Sequence, residues 1–330
     1  MHSSDDRNQT RGSKTSALPN DELFGIDELK CMALARRMSH YRPRRKLTPH
    51  SKDARDQLAL SIAITAICHQ FNWDFLNRRL SSCLLDQDLG VLESIKRVST
   101  SDFQLWFSDY DEPERIRAEE RSRMLREIGR TLEREFEGDA QLLISRCNGH
   151  LAGPDGFFEL MDQFAAYRED PLRKKTNVLI HELVRSGAVQ FTDPEHIAPA
   201  IDYHLIRVYL RTGRVYPLHA FIFEDLATGD PRPRTRLVRV LREKVATAVK
   251  LTAFLGGLTV PDVNFIEWQL GRSICVRGTP GCISGVRARP LDSEVAKLFD
   301  TRCPYSENCT AFQDPRWLQL QEPVFKKTFY

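Results

Sequence analysis

The 330-residue sequence lacks the long apolar runs and the charge imbalance that often reveal a protein's class. Its most apolar stretch, residues 58 to 68, is interrupted by Ser61 and Thr65 and is shorter than the roughly 20 residues that a membrane-spanning helix needs. The 48 basic and 45 acidic side chains give a net charge of +3, which by itself does not indicate nucleic acid. With 41% hydrophobic residues, the composition excludes collagen-like and mostly disordered proteins and predicts a globular protein. We do not expect this protein to bind or span a membrane.

Several catalytic motifs are also missing. The sequence contains no phosphate-binding loop followed by lysine, no G-x-G-x-x-G and no G-x-S-x-G. His181 and Glu182 begin like the helix of a zinc peptidase, but Arg185 stands where the second histidine is required. These absences disfavour nucleotide-driven, serine-hydrolase and zinc-peptidase chemistry.

The N-terminal segment, residues 1–20, is polar and without hydrophobic periodicity, and it predicts a disordered tail. It contains no apolar core of a signal peptide. We therefore expect an intracellular monomer, located in the cytoplasm or nucleoid, or in the nucleus of a eukaryote. Cysteines in such a reducing compartment are more often metal ligands, catalytic groups or core residues than disulfides.

Apolar residues recur at helical spacing along most of the chain and predict an all-α fold. The clearest amphipathic helix lies within 114–137, where apolar residues share one face of a highly charged segment. Further helices are predicted over 23–37, 58–80, 84–98, 157–167, 174–186, 203–212, 218–227, 235–255 and 262–272. The best candidate for a β-strand is short, at 189–193.

Four of the eight cysteines follow the late pattern C-x6-C-x20-C-x5-C: Cys275, Cys282, Cys303 and Cys309. Glycine and proline in the first loop allow two sulfur atoms to converge, and four thiolates suit Zn²⁺ or an iron–sulfur cluster. The alternative is four unrelated core thiols. That is the interpretation for the other four, which lie in apolar segments: Cys31, Cys68, Cys83 and Cys147.

The segment FIEWQLGRSIC before this pattern and CPYSENC at its end resemble the iron–sulfur loop of endonuclease III-like DNA glycosylases, in the helix-hairpin-helix superfamily. That family has C-x6-C-x2-C-x5-C, so the first and last spacings agree while the middle one is 20 residues instead of two. The resemblance implies a 4Fe-4S cluster held by the four cysteines, with Zn²⁺ as the alternative.

Upstream, PAIDYHLIRVYLRTG at 199–213 resembles the V-D-T-H-x-x-R-V-x-x-R segment of the same superfamily. The resemblance implies that Asp202 is catalytic and stabilises the positive charge on the sugar as the base leaves, and that His204 contacts DNA. Taken alone, Asp202 precedes an apolar helix and predicts an N-cap.

The segment DPLRKKTNVL at 170–179 resembles the end of the family's hairpin, although the hairpin glycines are missing. It implies that Lys175 is the Schiff-base lysine of the bifunctional glycosylase-lyases, with Lys174 as a DNA contact or as a competitor for that role. The alternative for Lys175 is phosphate contact or solvation. A helix start and neighbouring cations are expected to lower the pKa of this lysine.

The apolar helix at 59–80 resembles the first barrel helix of the family, which implies that Gln70 fills the gap left by an extruded base. Positive charge is concentrated at 36–46 and 229–250, and Arg277 lies inside the first cysteine loop. These positions suit contacts to DNA phosphates, although each basic segment alone is more often a solvated face.

The resemblance implies two helical lobes. Residues 58–196 are expected to form a six-helix lobe with the hairpin, and residues 21–57 plus 197–330 a second lobe with Asp202 and the cysteines. We expect a DNA glycosylase of base excision repair that removes a damaged or modified base flipped out of duplex DNA, with or without AP-lyase activity. The alternatives are an N-glycosidase for RNA or a modified nucleoside and a non-catalytic iron–sulfur protein that binds DNA.

Overall fold

The computed structural model describes residues 18–42, 53–85, 89–228, 236–299 and 303–323. Most of these residues are helical, which confirms the all-α prediction. None of the described helices combines the length and the apolar character that crossing a membrane takes. The predicted tail up to residue 17, the basic residues at 43–46 and the start of the second basic segment at 229–235 lie outside the described residues.

The helices of the described ranges are numbered in chain order. They are α1 (Glu28–Met38), α2 (Ala54–Ile67), α3 (Trp73–Leu85), α4 (Gly90–Arg97), α5 (Thr100–Trp106), α6 (Ala118–Phe136), α7 (Gln141–Arg146), α8 (Phe157–Met161), α9 (Ala165–Arg168), α10 (Lys174–Ser186), α11 (Tyr203–Thr212), α12 (Ala220–Thr228), α13 (Arg236–Gly256), α14 (Val260–Ser273), α15 (Gly281–Ser284), α16 (Ser293–Leu298) and α17 (Thr310–Gln313). Two short strands, β1 (Phe24–Ile26) and β2 (Val215–Pro217), pair in antiparallel fashion with Gly25 opposite Tyr216.

The chain divides into two compact units. We call the described residues from 53 to 197 the central unit, and those from 18 to 42 and from 198 to 323 the terminal unit. Helices α2 to α10 belong to the central unit, and both strands and the remaining helices belong to the terminal unit.

Helix α6 organises the core of the central unit. It packs against α2, α4 and α5, and its apolar stripe is fully buried as the sequence predicts: Leu125, Ile128, Leu132 and Phe136. Helix α2 is apolar on nearly every side and is capped by Asp53, whose side chain accepts a hydrogen bond from the backbone N–H of Arg55. Its burial between neighbouring helices follows from that composition.

A buried ion pair lies at the centre of the terminal unit, where α13 packs against α1 and α14. The guanidinium of Arg214 donates to the carboxylate of Glu267, and both side chains are completely buried. The hydroxyl of Tyr305 donates to the same carboxylate oxygen at 3.0 Å, and the guanidinium lies 3.7 Å from the ring centre of Tyr209. These contacts offset part of the cost of burying both charges.

Three helix predictions in the central unit were wrong in their limits. The helix expected over 58–80 ends at Ile67 and resumes at Trp73, because Gln70 adopts a left-handed backbone with φ of 51°. The helix expected over 84–98 begins only at Gly90, and that expected over 157–167 is divided into α8 and α9. A left-handed residue cannot continue an α-helix, so the break at Gln70 separates α2 from α3.

The strand predicted at 189–193 is also wrong, because this segment bonds to a loop rather than to a strand. Thr192 donates its backbone N–H to the carbonyl of Gly149 at 2.8 Å, and the carboxylate of Asp193 accepts from the N–H groups of Leu151 and Ala152. Conversely, the residues from 24 to 26 form β1 where the sequence predicts helix. Asp27 caps the helix after them.

Candidate functional site

Asp202 is the N-cap of α11 in the terminal unit, which confirms the N-cap prediction. Its Oδ1 accepts a hydrogen bond from the backbone N–H of Leu205 at 3.0 Å, and only 6% of the residue is exposed. An asparagine at this position keeps the amide oxygen that makes the same bond, since asparagine caps helices as well as aspartate does. The substitution Asp202→Asn therefore removes the carboxylate while it keeps the helix cap.

Helix α14 approaches the start of α11 closely at Gly271. A Cβ atom at this position would lie 2.8 Å from the Cβ of His204 and 3.0 Å from its carbonyl oxygen. The glycine of the segment that resembles the glycosylase family is thus needed for helix packing. His204 is half-buried, and its Nδ1 lies 3.0 Å from Nη2 of Arg207. Its imidazole is therefore already engaged within the chain.

Two arginines of α11 hold the first cysteine loop. Arg207 donates from Nε to the carbonyl of Cys275 at 2.6 Å, while Arg211 donates to the carbonyls of Val276 at 2.7 Å and Arg277 at 3.1 Å. Both arginines are almost completely buried. The sequence places them four residues apart, which puts both on one face of the helix, but does not reveal this partner.

The four cysteines predicted as ligands line one small cavity, together with apolar side chains of α11 and α14. Burial, with smaller contributions from the neighbouring Cys275 and Cys282 thiols, raises the pKa of Cys309 to about 11. Burial likewise raises the pKa of Cys303. Burial therefore favours the protonated form of the Cys303 and Cys309 thiols.

The four thiols of this cavity are ligands of the type that binds Zn²⁺ or an iron–sulfur cluster. In the structure, however, their side chains do not surround one point. The thiol of Cys309 donates to the carbonyl of Arg211 at 3.4 Å, and the sulfur of Cys275 lies 3.9 Å from Nη1 of the same arginine. Among the residues that the structure describes, no three His, Cys, Asp or Glu side chains are placed so as to hold a metal ion. A bound cation stabilises thiolates, which would turn toward it.

The segment between the second and third cysteines contacts the end of α14 at several points, and its residues 300–302 lie outside the described ranges. Ala288 donates its N–H to the carbonyl of Ser273 at 2.8 Å, and Asp292 caps α16. Val295 and Phe299 are buried. This segment is thus a folded excursion that returns to the same cavity, so the long spacing is compatible with one four-cysteine site.

Lys175 is a buried amine in the first turn of α10, in the central unit. Only 2% of the residue is exposed, and its Nζ has no hydrogen-bond partner in the described part of the chain. Burial, with a smaller contribution from the positive charge of Lys174, lowers the pKa of Lys175 to about 8. About a tenth of the molecules therefore hold a neutral amine at pH 7. A neutral amine is a nucleophile, so this geometry suits covalent chemistry.

His69 and Glu120 form a hydrogen-bonded pair in the central unit. Nε2 of His69 lies 2.8 Å from Oε1 of Glu120, and its Nδ1 is buried without a partner among the described residues. Burial lowers the pKa of His69 to about 3, so the imidazole is neutral. Arg121 donates to the carbonyls of Ile67 at 2.9 Å and His69 at 2.8 Å and holds this turn in place.

Gln70, predicted to fill the gap of an extruded base, lies in the same turn. Its side-chain oxygen accepts a hydrogen bond from Nη2 of Arg117 at 2.9 Å. Both residues have positive φ, 51° and 43°, although neither is glycine. Such strained backbone is concentrated at functional sites in proteins. The neighbouring Phe71 stacks on Tyr110 at 4.2 Å between ring centres and is a core residue.

The turn between α9 and α10 has no hairpin glycines and is held by the side chain of Asp170. The carboxylate of Asp170 accepts from the N–H groups of Leu172 at 3.2 Å and Lys174 at 3.1 Å, and Arg173 is left-handed with φ of 47°. These N–H groups are thus occupied in the turn that, in the resembled hairpin, approaches a DNA phosphate. Lys174, predicted as a DNA contact, is 6% exposed.

Arg277, the other predicted phosphate contact, is exposed on the first cysteine loop of the terminal unit. Its Nε donates to the side-chain oxygen of Gln321 at 2.7 Å.

Comparison of the sequence with models of known protein families and with curated proteins finds no match.

Proposed function

We propose that the protein is a DNA glycosylase of the helix-hairpin-helix superfamily with AP-lyase activity, and that Lys175 is its nucleophile. The observation that supports this most directly is the buried amine of Lys175, which lacks a partner in the described part of the chain and has a pKa of about 8. An unpaired buried amine destabilises a fold, and strongly shifted pKa values are concentrated at functional sites.

The chemistry uses the aldehyde of an abasic deoxyribose. The lone pair of Nζ of Lys175 forms a bond to C1′ while the electrons of the C1′=O double bond move to the oxygen. The nitrogen loses one proton to water, and the oxygen takes two protons from the solvent and leaves as water, which gives an iminium ion. The iminium draws electrons from C2′, which loses a proton, and the 3′ phosphate then leaves with its bonding electrons. A neutral amine starts this sequence, so a lowered pKa of Lys175 accelerates it near neutral pH.

The direct experiment is borohydride trapping on an oligonucleotide with one abasic site, which avoids the question of which base is removed. The wild-type protein should form a covalent adduct after reduction, Lys175→Ala should form none, and Lys174→Ala should still form it. An absent wild-type adduct, or an adduct that persists in Lys175→Ala, contradicts the proposal.

The resemblance assigns base release to the carboxylate of Asp202, and the N-cap contact makes a clean test possible. Asp202→Asn retains an acceptor for the N–H of Leu205 and should fold as the wild type does. A panel of oligonucleotides with different damaged bases should show one base that the wild type releases and Asp202→Asn does not. Full base release by Asp202→Asn excludes the carboxylate from the reaction.

The four-cysteine cavity would hold the implied 4Fe-4S cluster, or Zn²⁺, as a structural centre that ties the C-terminal segment to α11 and α14. Cys282→Ser should lower the iron content and the broad visible absorbance of purified protein. Cys147→Ser, a substitution of a buried cysteine in the central unit, provides the matched control. Stoichiometric zinc without iron selects the alternative ion, and the absence of both metals refutes a metal site.

One observation favours a second function. Because Asp170 occupies N–H groups of the hairpin turn and Lys174 is buried, a phosphate contact expected of duplex DNA binding is weakened. An N-glycosidase that acts on RNA or on a modified nucleoside does not need that contact. Failure to bind duplex DNA at low salt, together with release of a base from RNA or a nucleoside, would select this function.

A further inference from the structure

Four nitrogen atoms of the central unit are buried without a hydrogen-bond partner among the described residues, and two of them concern the proposed nucleophile. These two are Nζ of Lys175 and Nδ1 of His69. Lys175 lies in the first turn of α10, His69 follows the end of α2, and these two helices pack against each other. The charge of Lys175 lowers the pKa of His69 in addition to the larger effect of burial, so the two groups interact electrostatically.

The pair formed with Glu120 determines which of the two nitrogens of His69 carries the hydrogen. The hydrogen bond from His69 lowers the pKa of Glu120, so its carboxylate is ionised and only accepts hydrogen bonds. Nε2 of His69 must then carry the hydrogen, and Nδ1 presents a lone pair. Arg121 fixes the backbone of this residue through its carbonyl. Nζ of Lys175 is thus a donor without an acceptor, and Nδ1 of His69 is an acceptor without a donor, among the described residues.

We propose that His69, oriented by Glu120, is a positioning residue for Lys175: its Nδ1 accepts a hydrogen bond from Nζ as the amine turns toward C1′ of the sugar. This bond aims the nitrogen lone pair at the carbon. The neutral imidazole takes no proton in the reaction, and the proton that Nζ loses goes to water. The inference rests on the proposed role of Lys175 as the nucleophile.

Three substitutions separate positioning from packing. His69→Asn places an amide oxygen where Nδ1 lies, His69→Gln places its amide near the position of Nε2 and leaves no acceptor at Nδ1, and His69→Leu removes both polar atoms. Borohydride trapping on the abasic oligonucleotide is measured in single turnovers from about pH 6 to about pH 10. Binding of the same oligonucleotide is measured in parallel.

We expect His69→Leu and His69→Gln to lower the maximal trapping rate by roughly 10- to 100-fold, as misplaced reacting groups do. His69→Asn should recover much of this loss, and DNA affinity should not change. The midpoint of the pH profile should stay near 8, because the charged groups that act on Lys175 remain in place. They are Lys174 and Arg121, which lower its pKa, and Cys68 and Glu169, which raise it.

Unchanged maximal rates in all three variants overturn the inference, as does equal activity of His69→Asn and His69→Gln. A midpoint that moves toward the alkaline range of an ordinary lysine also overturns it, because it shows that the substitution admits water and that His69 serves packing. A wild-type protein that forms no adduct refutes the proposed function, and this inference with it. A wild-type adduct with indifferent His69 variants refutes the inference alone.

Discussion

Replacement of Lys175 by methionine should stabilise the protein in a way that depends on pH. The side chain is 2% exposed, so its charge has lost nearly all of its hydration, and its pKa falls from 10.5 to about 8. Each pH unit between these values corresponds to about 1.36 kcal/mol, so the buried charge costs about 3 kcal/mol. Methionine fills a similar volume without a charge.

The sign of the effect follows from proton binding by the folded and unfolded chains. Below about pH 8 both carry the proton on Lys175, and the folded chain bears the whole cost. Between about pH 8 and 10.5 the unfolded chain holds the proton while the folded chain does not, so the free energy of unfolding of the wild type rises with pH. The advantage of Lys175→Met should thus be about 3 kcal/mol at neutral pH and vanish near pH 10.5.

Urea unfolding of the wild type and Lys175→Met across this pH range is the measurement. Subtracting the two free energies removes every group that the proteins share, and Lys250→Met, at an exposed position of α13, controls for the loss of one positive charge. A difference that is constant with pH refutes the buried-amine interpretation. A Lys175→Met variant less stable than the wild type at pH 7 refutes it as well.

Substitutions at Glu267, Gly271 and Asp202 test the terminal unit by unfolding measurements. Glu267→Gln leaves the guanidinium of Arg214 buried without its countercharge and should lower the free energy of unfolding by about 3 to 5 kcal/mol; a loss below about 1 kcal/mol contradicts this. Gly271→Ala forces a contact of 2.8 Å and should cost about 1 to 3 kcal/mol, whereas Gly278→Ala, with open space at its Cβ, should be nearly neutral; equal costs refute the close approach. Asp202→Ala should cost about 1 kcal/mol and Asp202→Asn little, and similar losses in both exclude the N-cap role.

Parts of the site were predictable because they depend on local sequence. Asp202 stands before an apolar helix and caps it, and the pKa of Lys175 is lowered as its position at a helix start predicts. The main cause differs, however, because burial lowers the pKa more than Lys174 or any other neighbouring charge does. Burial depends on which helices pack around a residue, and no local pattern records it.

The sequence by itself determined the helices whose periodicity and end signals agree. Helices α10 and α11 have the predicted limits, since apolar residues recur every three or four positions and each helix ends at a glycine, Gly187 and Gly213, with positive φ. Only the tertiary structure decided the break at Gln70, the pairing of β1 with β2 and the partner of Arg207 in the cysteine loop. Each of these depends on a contact between residues far apart in the chain, and such contacts override local propensity.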